Sequence, residues 1–107
     1  MSDTENEREL ARELAEDLRS LRVEDILIQA LVTVSAVGYR SLGATPDTRN
    51  DRDLGQCRLA IETMRALTPV LEDVVPPELI RDFGASVASL QLAYAKAAGD
   101  EEPDDAA

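Results

Sequence analysis

The sequence predicts an all-α fold: a small bundle of three or four helices, with helix two central and an acidic disordered C-terminal tail. Two observations carry this. Apolar residues recur at intervals of three and four, the helical period, and neither strand-like alternation nor a Gly-rich loop interrupts them. The punctuating residues Gly43, Asp53, Pro69, Pro76, Pro77 and Gly99 fall between those periodic stretches, where helices start and stop. At 107 residues and 44% hydrophobic content, one globular domain over 5–98 is expected, between a flexible N-terminus at 1–4 and the tail at 99–107.

The first helix is predicted from Glu5 to Leu21. Leu10, Leu14, Leu18 and Leu21 line one face, and Glu5/Arg8, Glu9/Arg12 and Glu16/Arg19 pair on the surface at i,i+3. A single leucine stripe on a charged helix must pack against something, because a helix this short is marginal alone in water. The second helix, Val23 to Leu42, is the most apolar segment. Gln29, Thr33, Ala36 and Arg40 share one narrow arc, and nearly all the rest is aliphatic. Such a helix needs neighbours on at least two sides. Gly43 is its expected stop.

A polar loop, Ala44 to Arg52, leads to Asp53, an N-cap with Gln56 three residues on in the capping-box pattern. Helix three then points Cys57, Ile61, Met64 and Leu67 inward. Pro69 implies a kink or restart with Thr68 as cap, since proline removes a backbone donor. Helix four is expected from Pro77 to Ala98. Its seam is Phe83, Val87, Leu90 and Tyr94, with a stripe of small residues at Ala85, Ser89, Ala93 and Ala97.

The charge excludes several classes. The chain carries 22 acids and 11 bases, a net charge of −11, concentrated at its two ends. Phosphate backbones repel such a chain, so direct nucleic-acid binding is not expected. Without histidine there is no imidazole base or His-based metal site, and a single cysteine forms no intrachain disulfide. The longest charge-free run, Ile26 to Tyr39, is 14 residues, and spanning a bilayer takes about 18 or more. Met1-Ser2-Asp3 opens no targeting signal, so a cytoplasmic location is the default expectation.

The stretch Asp53-Leu54-Gly55-Gln56-Cys57-Arg58-Leu59-Ala60-Ile61-Glu62-Thr63-Met64 is the most distinctive. With the apolar helix before it and Leu90-Gln91-Leu92-Ala93-Tyr94 after it, residues 24–97 resemble a small bacterial family, domain of unknown function eighteen-forty-four. The resemblance implies an all-helical fold and supplies no catalytic or ligand-binding residues. Gly55 departs from the charged or polar helix former more usual at that position.

Candidate chemistry is sparse. Cys57 sits near the N-terminus of helix three, where a dipole lowers a thiol pKa, but with no His or second Cys it reads as a small buried hydrophobe. Asp51, Asp53, Gly55 and Glu62 approach calcium-loop spacing, yet only Glu62 falls correctly, and Arg52 and Arg58 bring the wrong charge. The pairs Glu24-Asp25, Glu72-Asp73 and Glu78/Asp82 read as helix-end acids. Arg49 and Arg52 are neutralised by Asp47, Asp51 and Asp53. No catalytic, metal-binding or cofactor-binding residue is assigned, and no cofactor is implied.

The leading expectation is therefore a non-enzymatic interaction module that self-associates through helix two, at a surface of Leu27, Ile28, Leu31 and Val32. The alternatives are an adaptor whose acidic ends meet a basic protein or ribonucleoprotein, and a helical carrier of an apolar ligand.

Overall fold

The structure is a computed structural model that describes residues 3–101. It holds four α-helices: α1 (Asp3–Ser20), α2 (Val23–Ser41), α3 (Leu54–Leu67) and α4 (Pro77–Glu101). Short 3-10 turns lie at Arg49–Asp51 and Thr68–Leu71, and the described residues contain no strand.

The break between α1 and α2 is local. Arg22 is extended (φ −112°, ψ 144°) and its carbonyl accepts from the Asp25 and Ile26 amides, so it opens α2 without a side-chain cap. Only Leu21 and Arg22 separate the two helices. At the other end of α2, Gly43 adopts φ 60°, the left-handed conformation of a C′ residue, and its amide donates to the Arg40 carbonyl. A side chain is excluded there, because a Cβ would stand 2.6 Å from the Cβ of Arg52.

Asp53 caps α3 through its carboxylate, which accepts from the Gln56 amide at 3.2 Å. The reciprocal half of a capping box is replaced: the Asp53 amide donates to the Ser41 carbonyl at 2.8 Å, tying the start of α3 to the end of α2. Gly55 does not interrupt the helix. Thr68 does not cap the turn that follows; its hydroxyl donates back to the Met64 carbonyl at 2.6 Å, and Leu67 holds the cap position. That bond satisfies a buried hydroxyl, which an exposed cap would not need.

The predicted central place of helix two is taken by α3. It packs along α2 on one side and α4 on the other, while α2 meets α4 over a shorter stretch. The core is Leu31 from α2 and Leu42 from its C-cap, Cys57, Ile61 and Met64 from α3, Leu71 from the turn, and Phe83, Leu90 and Ala97 from α4. Close approach comes from Gly38, whose added Cβ would lie 2.9 Å from the Ala60 Cβ and 3.3 Å from Leu90 Cδ1. The small stripe on α4 does not serve this purpose, since Ala85 and Ser89 are exposed and only Ala97 is buried.

Two ends differ from expectation. Asp3 and Thr4 already belong to α1, and α4 runs through Gly99 to Glu101. Glycine ends a helix by turning left-handed, and Gly99 keeps a negative φ. The rest of the acidic tail, 102–107, lies outside the described residues, as do Met1 and Ser2.

The largest departure is α1. It buries no residue and projects from the α2–α4 body. The chain extends 70 Å along its longest axis, with a radius of gyration of 19.4 Å; a compact domain of this length has about 13 Å.

Candidate functional site

The structure divides the predicted association surface. Leu31 is fully buried, and Leu27 and Ile28 are partly buried against the core. Of the four residues, only Val32 is free, at 51% exposure. The reason is rotational. The arc through Leu27, Leu31, Val34 and Gly38 faces α3 and α4, so Leu31 is spent inside the chain. The open apolar flank of α2 carries Ile26 and Val37, which are 50% and 45% exposed.

That flank forms a groove. Between α2 and α3 lies an apolar depression of about 190 Å³, walled by Thr33, Val34 and Val37 on one side and Gln56, Leu59, Ala60 and Thr63 on the other. It runs on along α2 past Thr33 and Val34 to Ala30, Ile26 and Leu21. Asp25 is the one charged side chain along the combined lining, so the groove suits an apolar face. Leu59, on its α3 wall, is 55% exposed. The sequence hides Leu59 because it lies off the Cys57–Ile61–Met64 face, and only the pairing with α2 gives it neighbours.

A second apolar surface is the α1 stripe. Leu10, Leu14 and Leu18 are 59%, 56% and 67% exposed, on a helix that buries no residue. Isolated exposed leucines are ordinary; three in register on one unpacked helix form a continuous ridge.

The polar candidates are occupied elsewhere. The buried Cys57 thiol has its pKa pushed up by desolvation, which disfavours the thiolate that nucleophilic chemistry needs. Asp51 pairs with Arg40 at 2.9 Å, Asp53 caps α3, and Glu62 lies 3.8 Å from Arg58, so the calcium-like spacing does not converge. Among the described residues no group of three acids or thiols is placed to hold a metal ion. The partly exposed Glu24 carboxyl is held below its ordinary range, first by a hydrogen bond from its own backbone amide and secondarily by Arg22, a helix-start arrangement. Arg49, Arg52 and Lys96 line a wider basin near the end of α4, where Arg52 donates to the Leu42 carbonyl at 2.9 Å and Asp100 shares the rim. No described helix is long and apolar enough to cross a membrane.

Comparison of the chain with family models, with curated proteins and with solved structures returns no match in any of the three.

Proposed function

We propose that this protein is a non-enzymatic interaction module that works by associating with a second copy of itself. The observation that carries this reading is α1, an 18-residue helix with no buried residue and a ridge of exposed leucines. An unpacked helix of that length is marginally stable in water, and covering the ridge supplies what propensity does not. The α2–α3 groove is a second uncovered apolar surface on the same chain. A cytoplasmic setting suits the reading. Membership in the uncharacterised helical family that residues 24–97 resemble would be compatible with it and adds no residue role.

Light scattering tests the reading. At tens of micromolar the expected mass is twice 11.6 kDa, and a steady 11.6 kDa up to high micromolar concentration contradicts it. Salt gives a signed check. Two copies at −11 each repel, and ions screen that repulsion, with a Debye length of about 8 Å at physiological ionic strength. Association is therefore expected to tighten as salt rises. An adaptor holding a basic partner through its acidic ends would show the opposite sign. An apolar-ligand carrier would instead release lipid or fatty acid when the purified protein is denatured.

A further inference from the structure

We propose that the two copies exchange arms: α1 of each seats its leucine ridge in the α2–α3 groove of the other. This deepens the self-association reading and rests on it.

The dimensions match. An 18-residue helix is about 27 Å long at 1.5 Å per residue, and the groove follows α2 from Leu21 to Val37, about 24 Å on the same scale. The chemistry matches as well. The ridge presents only leucine methyls, and the groove offers Ile26, Ala30, Val37 and Leu59 with its single carboxylate, Asp25, near one end. The seven acids and three arginines of α1 ride on its remaining surface, where they stay in water.

Area decides between arm exchange and direct pairing of the two α1 helices. One seated helix covers a footprint of about 27 Å by 10 Å, or about 540 Å² counted on both partners. A lone α1–α1 contact stops at that value, which is typical of incidental contacts. Exchange makes the contact twice, about 1,080 Å², which reaches the roughly 1,000 Å² expected of a specific interface. It also covers both unpartnered surfaces at once and closes with two-fold symmetry, leaving no free groove to propagate a fibre. The path of the chain agrees: the helix breaks at extended Arg22, α1 buries no residue on its own body, and the molecule reaches 70 Å along its longest axis.

The test uses full-length chains and measures mass against concentration. The arm variant carries Leu14→Glu and Leu18→Glu; the groove variants are Leu59→Glu and, separately, Val37→Glu; Leu92→Glu, 76% exposed on the far side of α4, is the control. Each altered side chain is at least 45% exposed, so helix content and melting of the α2–α4 body serve as the folding check. Exchange predicts that arm and groove variants both weaken association by at least about a hundredfold, the scale of burying an uncompensated carboxylate in an apolar contact. The control associates as wild type does. If the arm variant dissociates while both groove variants remain dimers, arm exchange is overturned and α1–α1 pairing replaces it, with self-association intact. If neither class changes the mass, the interface lies elsewhere and exchange is likewise overturned. A wild type that stays at 11.6 kDa overturns both readings.

Discussion

Replacing Gly38 with leucine is expected to unfold the α2–α4 body or leave it expanded at room temperature. Gly38 is buried against α3, and even a methyl group there would stand 2.9 Å from the Ala60 Cβ. Ala60 is 5% exposed and its Cβ is fixed to the α3 backbone, so it has no rotamer by which to yield. The second contact, Leu90 Cδ1 at 3.3 Å, belongs to a fully buried side chain on α4. Relief requires α2 to move away from both neighbours and to open the packing around Leu31 and Met64. Overpacking costs about 1–3 kcal/mol for added methylenes and more where nothing yields; a four-carbon side chain belongs at or above the top of that range. Gly38→Ala gains about 1 kcal/mol in helix propensity, which partly offsets its smaller clash. Circular dichroism with thermal melting checks the pair, with loss of the cooperative transition expected for leucine and a modest drop for alanine.

The second large effect separates two adjacent residues of α2. Leu31→Ala is expected to cost about 2–5 kcal/mol, because it removes a wholly buried side chain and leaves a cavity among α3 and α4. On a domain of this size that is a melting-temperature drop of order 10–20 °C or more. Val32→Asp, one position on, is expected within about 0.5 kcal/mol of wild type, the range for exposed sites away from special features. It is also expected to leave association unchanged, since Val32 lies on the flank of α2 away from the groove. Equal effects at the two positions would mean that α2 is rotated from the orientation described above.

That rotation marks the boundary of what was legible in the sequence. The helices were legible because their signals are local: Gly43 as a left-handed stop, Asp53 as an N-cap, and the Cys57–Ile61–Met64 and Phe83–Leu90 seams all act within a few residues. The face of α2 was not, because a helix apolar most of the way round carries no internal mark of which side meets its neighbours. Leu31 and Val32 look equivalent on a helical wheel, and Gly38 decides between them by admitting α3 and α4 on its own side. Helix one was legible as an amphipathic helix in need of cover. Covering α2 within the chain would have removed the need for a partner, and the extended Arg22 directs it elsewhere. The groove was not legible at all, since Val37 and Leu59 are 22 positions apart and become one surface only when α3 packs on α2.

The central claim is that α1 has no partner in its own chain and gains one from a second copy. Hydrogen exchange at the amides of 3–20, followed as protein concentration is raised through the association range, tests it most directly. In the isolated chain α1 buries no residue, so its amides are expected to exchange nearly as fast as those of a marginal helix, while the core of α3 stays protected. Protection of α1 is expected to rise with concentration in step with the mass. Strong protection of α1 that is the same at every concentration would contradict the account, because it would place the helix against its own chain.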